Sequence, residues 1–346
     1  MAGVKYYITF FLHLSLVQFV LSQQQKNNEA VAGIGFTTNR IQDKDGNSLL
    51  VSVWYPSAKA GQRMNLRDYI IAGKLTEDIT DTNVITGFKQ MLERPFFGHS
   101  LTITNSELNK LLPVSFHASK DVSIRKGRFP LVIATAKPES YAETFEFLAA
   151  HGFVVAAVTM LWKDEKNDTL LYVNATNALA ELLRFELKQP YVDTNNISAF
   201  GHGGGIQPAF YLAMRTSKIK SVINLDGGVF GLRSKTTLSP DYNPARLKIP
   251  MLHIITQSQR RIDNPAEFNA LSNLRYRLII KSDSIRHHDF TIWGRVITNQ
   301  LRQRGEPTIL VNKVFTSIDQ LILYFLKSKK LISSVVPEDL FQYEKF

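Results

Sequence analysis

The stretch Ile197-Ser198-Ala199-Phe200-Gly201-His202-Gly203-Gly204-Gly205 constrains the fold of this chain more than any other. A short apolar run ends in glycine, and an apolar helical pattern, Ile206 to Met214, begins directly behind it. That is the frame of a G-x-S-x-G elbow, in which a sharp strand-to-helix turn lifts one side chain above the edge of a sheet. Gly201 and Gly205 take the outer glycine positions, and Gly203 stands where the serine belongs. The hydroxyl that would attack a carbonyl is therefore missing. A dinucleotide-binding turn needs a third glycine where this chain has Ile206, although Asp226 falls near the required spacing of about twenty residues. A phosphate loop ending in Gly-Lys-Ser/Thr is absent. A glycine-rich turn that merely packs a helix close to a strand stays open beside the degenerate elbow.

The rest of the pattern says what surrounds that turn. Gly33 to Ile41 and Ser48 to Trp54 flank Asp43-Lys44-Asp45-Gly46-Asn47 and predict a hairpin. Residues 58–120 are less regular, with short helices over Leu66–Leu75, Val84–Leu92 and Glu107–Leu112, and read as an insertion on the rim of the sheet. From Phe129 onward strands and helices alternate: Pro130–Ala134, helix Glu143–Ala150, Phe153–Val158, helix Leu170–Leu187, Ile197–Phe200, the elbow helix, Ser221–Leu225, Met251–Thr256, Arg277–Ile280 and helix Phe315–Leu326. Alternation of this kind predicts an α/β fold with a mostly parallel sheet and helices on both faces. One domain over residues 30–330 is expected, with residues 331–346 as a tail.

At the N-terminus, Lys5, the apolar run Tyr7 to Leu21 and the polar stretch from Gln23 have the layout of a secretory signal peptide over residues 1–22. No later stretch is long and apolar enough to predict a span in the mature chain. The chain has no cysteine, so an exported protein of this kind rests on its core, and a secreted or periplasmic location is expected. The formal net charge of +11 favours acidic surface partners, yet no nucleic-acid motif accompanies it. The basic residues of the C-terminal third, from Arg260 and Arg261 to Arg302 and Arg304, are spaced rather than blocked and read mainly as solvated surface.

In a parallel α/β sheet chemistry gathers at the carboxyl ends of the strands. Gly203, Asp226 and His287 fall at such ends in the order nucleophile, acid, histidine. Taken singly, an Asp after a strand is more often a turn former and a His in a polar loop is more often simply exposed. His287-His288-Asp289 is no metal site, because adjacent residues rarely converge on one ion.

Leu225-Asp226, the His-x-x-Phe pattern of His287-His288-Asp289-Phe290, Val53-Trp54-Tyr55-Pro56 and Phe129-Pro130-Leu131-Val132 carry a family resemblance. From about Gly33 to Leu326 the chain resembles the α/β-hydrolase superfamily, in particular the branch of platelet-activating-factor acetylhydrolases and bacterial dienelactone-hydrolase-like proteins. The resemblance implies an α/β-hydrolase fold, an ester-hydrolase lineage without a cofactor, Asp226 as the acid and His287 rather than His288 as the base. Where the family carries His-Gly to help bind an oxyanion, this chain has Ala136-Lys137, so the backbone amides of Ala136, Lys137 and Gly204 are the candidate donors. Loss of the serine from such a triad lowers turnover by about a millionfold. The expectation is an exported, catalytically inactive homologue that binds an ester- or lipid-like ligand or a partner. The alternative is a carboxylic-ester or phospholipid-type hydrolase that uses water activated by His287 and Asp226.

Overall fold

The computed structural model describes residues 33–74, 76–93, 102–159, 168–228, 242–261, 268, 271, 274–297, 300 and 308–346. The segment expected to be a signal peptide lies outside them.

Eleven strands form one sheet: β1 (Gly33–Gln42), β2 (Ser48–Ser57), β3 (Arg63–Asn65), β4 (Ser115–Lys120), β5 (Phe129–Thr135), β6 (Val154–Val158), β7 (Val192–His202), β8 (Ile219–Leu225), β9 (Met251–Ile255), β10 (Arg275–Ile280) and β11 (Phe341–Lys345). Their spatial order is β11-β10-β9-β8-β7-β5-β6-β2-β1-β4-β3. From β6 to β10 all neighbours are parallel. The hairpin β1–β2 joins this block antiparallel through β6. Its turn is organised by Asp43, whose carboxylate accepts the amides of Asp45 (2.9 Å) and Asn47 (2.8 Å).

Helices α1 (Leu66–Ala72), α2 (Asp81–Glu93), α3 (Asn105–Leu111), α4 (Ala142–Ala150), α5 (Asp168–Glu186), α6 (Ile206–Arg215) and α7 (Thr308–Ser328) cover it. Alternation along the strands sorts the core into two layers. Phe36, Trp54, Phe145, Phe200 and Phe325 pack on the side of α4 and α7. Val53, Leu131, Ile133, Leu179 and Phe210 pack on the side of α5 and α6.

Residues 58–120 do more than sit on the rim, since β4 pairs with β1 and β3 with β4, extending the sheet. A buried carboxylate latches them down. Glu146 on α4 accepts the Tyr69 hydroxyl (2.6 Å) and the amides of His117 (2.8 Å) and Ala118 (3.0 Å), and Trp54 donates its indole N–H to the Tyr69 oxygen at 3.0 Å. Residues 331–346, set apart by the sequence as a tail, supply β11, which pairs antiparallel with β10 from Ile280↔Phe341 to Tyr276↔Lys345. A five-residue strand lying beyond the long helix α7 is too short to stand out in the local pattern.

Candidate active site

β7 runs into the elbow at His202, and the chain turns at Gly203 with φ +55°, followed by one 3-10 turn over Gly203–Gly205 and then α6. The tightness of the turn explains its first glycine. A Cβ at Gly201 would stand 2.3 Å from the Ile206 Cα, so only glycine lets the helix start so close to the strand.

Asp226 follows β8 in the left-handed region, φ +45°, a conformation that costs a non-glycine residue about 1–3 kcal/mol and must be held by its surroundings. Its amide donates to the Ile254 carbonyl at 2.7 Å. Its buried carboxylate accepts the Thr256 amide (2.7 Å) and the Thr256 hydroxyl (2.9 Å) on one oxygen, and His287 Nδ1–H (2.9 Å) on the other. This bond fixes the His287 tautomer, with Nδ1 as donor and Nε2 toward the elbow. The loop that carries His287 is braced by Asp289, which accepts the Arg286 amide at 2.6 Å, and by the Ile292 amide on the Ser140 carbonyl at 2.8 Å.

The structure thus brings Gly203, Asp226 and His287 together. A Cβ built on Gly203 would lie 2.8 Å from His287 Nε2 and 3.0 Å from Cε1. The imidazole leans into the volume that a nucleophile's Cβ requires.

His202 has a part in this site that the sequence reading passed over. Its ring stacks on that of His287, centroids 4.3 Å apart and planes at 25°. Its Nε2 is 2.9 Å from the His287 carbonyl, which can only accept, so Nε2 carries the proton and Nδ1 accepts the Tyr141 hydroxyl at 2.7 Å. Burial, reinforced by neighbouring His287, holds the His202 pKa well below the ordinary histidine range, which keeps this tautomer neutral. The only sequence signal was its place next to the elbow position. Tyr172, on α5, is a second such residue: its hydroxyl would lie 3.2 Å from a Cβ on exposed Gly204.

The oxyanion expectation needs correction at Ala136. Its amide donates to the Val158 carbonyl at 3.1 Å, extending the pairing of β5 with β6, and cannot turn toward an oxyanion without breaking that bond. Lys137 is exposed, and its carbonyl accepts the Ser140 amide at 3.1 Å. Several basic residues expected as solvated surface are also engaged internally. Arg277 bonds Glu344 through Nε at 2.6 Å, and Arg295 bonds Glu143 at 2.8 Å and also Asp319. A separate cleft of about 400 Å³, lined by Thr38, Arg40, Leu50, Ala72, Lys74 and Lys120 among others, includes none of the elbow residues.

No protein-family model matches the chain. No curated protein matches it either. Among solved structures it is similar to a ferulic acid esterase from Streptomyces cinnamoneus, with a TM-score of 0.56 and 17% identity over 88% of this chain and 93% of the other. A Pyrococcus horikoshii acylaminoacyl peptidase aligns at a TM-score of 0.47 and 13% identity, over 90% of this chain and 44% of that one. With the parallel sheet, the strand-to-helix elbow at Gly203 and the acid and histidine converging on it, the fold of this chain is the α/β-hydrolase fold.

Proposed function

We propose that this protein is an exported member of the platelet-activating-factor-acetylhydrolase-like branch that lacks serine-hydrolase turnover and uses its retained site to bind an ester- or lipid-like ligand. One observation carries the reading: His287 Nε2 lies 2.8 Å from where a residue-203 Cβ would be. The ring has settled into the nucleophile's place. The engagement of the Ala136 amide by Val158 points the same way, since one lost oxyanion donor costs about 3 kcal/mol of transition-state stabilisation. The ester-like chemistry of the ligand is supported by Leu225-Asp226 and the His287-to-Phe290 motif, and by a fold neighbour described as a ferulic acid esterase. Export rests on the leader layout of residues 1–22. An acidic surface partner has the weaker support, because Arg277 and Arg295 are committed to internal pairs.

A second reading is favoured by the intact acid and histidine pair. With Asp226 anchored by Thr256 and holding His287 Nδ1–H, Nε2 has the orientation of a general base toward water, which would attack an ester carbonyl directly. Turnover of p-nitrophenyl butyrate, fluorophosphonate labelling and the imidazole NMR signals of His287 separate the two. The binding reading expects no labelling, no turnover above that of His287→Ala, and His287 signals that shift on titration with a trifluoromethyl ketone analogue of the ester. Turnover abolished by His287→Ala without labelling would replace it with the water-activating hydrolase.

A further inference from the structure

A lysine is turned inward at the opposite end of the sheet from the elbow. Helix α7 ends at Ser328, and Lys329 follows with φ +56°, in the left-handed region where a helix end usually places glycine. The turn is pinned on both sides. The Lys329 amide donates to the Phe325 carbonyl at 2.7 Å, the Ser328 hydroxyl bridges the Tyr324 and Lys330 carbonyls at 2.8 and 2.6 Å, and the Tyr343 hydroxyl of β11 donates to the Leu331 carbonyl at 2.8 Å. Lys327 and Lys330 stay exposed, whereas Lys329 is half-buried and carries its Nζ to 3.1 Å from Ser198 Oγ. Ser198 lies in β7, and its hydroxyl is 2.8 Å from that of Ser221, its register partner in β8.

Both serines are buried in the sheet, 1% and 0% exposed, so neither is open to a substrate. Of the three residues in this chain of polar groups, only Lys329 keeps part of its surface exposed. No carboxylate pairs with it among the described residues, and one neutral hydroxyl, itself bonded to that of Ser221, is a poor replacement for the water that an ammonium loses on burial. Desolvation accordingly brings the Lys329 pKa down to about 8. At pH 8 about half of such a side chain is free amine, against roughly one in 300 for an ordinary lysine.

We propose that Lys329 is a covalent modification site, an amine that activated acyl donors such as acyl phosphates and thioesters modify ahead of its exposed neighbour Lys330. The amine nitrogen attacks the acyl carbonyl carbon and forms the N–C bond. The bond from that carbon to the leaving group breaks with its electron pair on the leaving group, and the nitrogen loses one proton to solvent. The product is a neutral amide, so acylation removes a half-buried charge that has no carboxylate partner among the described residues. Ser198, against which Nζ rests, lies on β7 five residues before Gly203, roughly 16 Å away at the rise of a β-strand, so the site does not depend on what the elbow binds.

The test is limiting acetylation of the full chain with N-hydroxysuccinimidyl acetate, followed site by site with peptide mass spectrometry, with Lys330 as the internal comparison. Lys329 is expected to react about tenfold faster than Lys330 at pH 8, part of the gain in free amine being offset by its weaker basicity. Its rate should level off above pH 8. A rate at Lys329 no greater than at Lys330, or one that climbs without inflection through pH 10, overturns the proposal. Lys329→Arg identifies the modified peptide, because it removes the amine and keeps the charge.

Discussion

Gly203 is the residue on which the chemistry of this site turns, and its neighbours have adapted to it. In a working elbow a left-handed residue presents its side chain to the histidine at hydrogen-bond distance; here the histidine itself comes to 2.8 Å from the position of the missing Cβ. Restoring the hydroxyl must therefore displace a ring held by Asp226 at 2.9 Å and stacked on His202 at 4.3 Å. Gly203→Ser is expected to lose about 1–3 kcal/mol of stability, from the left-handed backbone together with the crowding. It should gain at most trace fluorophosphonate labelling. Thermal melts and probe labelling on the same preparation check both, and stoichiometric labelling at an unchanged melting temperature would show that the ring yields freely.

Among the elements, α4 does most to place the site. Tyr141, which precedes it, holds His202 at 2.7 Å, and the helix is fastened at three of its own side chains. Glu146 latches the β3–β4 segment, Thr144 donates to Asp319 of α7 at 2.9 Å, and Glu143 pairs with Arg295 at 2.8 Å. Arg295, carried by the π-helical turn Trp293–Ile297 just after the His287 loop, also pairs with Asp319 and donates to Thr144 at 2.5 Å. Burial alone would lower the arginine pKa, but the two carboxylates outweigh it and the net shift is upward. Breaking such a pair on one side strands a buried charge. Arg295→Ala should cost about 3–5 kcal/mol in urea unfolding, and Arg295→Ala with Asp319→Ala less than the sum of the single changes. Strict additivity would mean that the two do not act as a unit.

At the scale of the whole molecule, burial raises the pKa of Glu139, Glu146 and Glu186, and stability should fall with rising pH in part through Glu186, which has no role at the elbow. Glu186, at the end of α5, is 0% exposed, and neither of its oxygens has a hydrogen-bond partner among the described residues. Desolvation raises its pKa to about 8. Because the folded value is raised, its contribution is complete below the unfolded pKa of about 4.5, falls as pH rises, and is gone once pH passes about 8. Over that window the unfolded chain releases a proton that the folded chain keeps. Glu186→Leu should flatten this slope by the Glu186 share and stabilise the protein at pH 7 by up to about 3 kcal/mol. Urea midpoints at pH 5, 6, 7 and 8 decide it, and parallel curves for the two proteins would place the slope elsewhere.

What the chain determines by itself are features written in neighbouring residues. The period-2 and period-3.6 patterns mark β5 to β10 and the helices between them, Asp43 and Gly46 mark the hairpin, and Gly201 to Gly205 mark an elbow whose serine is absent. Strand ends also bring Gly203, Asp226 and His287 to one edge, because a parallel sheet aligns the carboxyl ends of its strands. The tertiary structure alone decides where polar groups separated by tens of residues find partners. Thr256 anchors Asp226 from 30 positions on, the His287 carbonyl holds His202 from 85, and Lys329 reaches Ser198 across 131. It also spends the Ala136 amide on Val158 and adds residues 341–345 to the sheet as β11. The physical reason is the same in each case. Backbone periodicity follows from local sterics and from which face is apolar, whereas a buried donor or acceptor must take whatever partner the packed chain brings within about 3 Å.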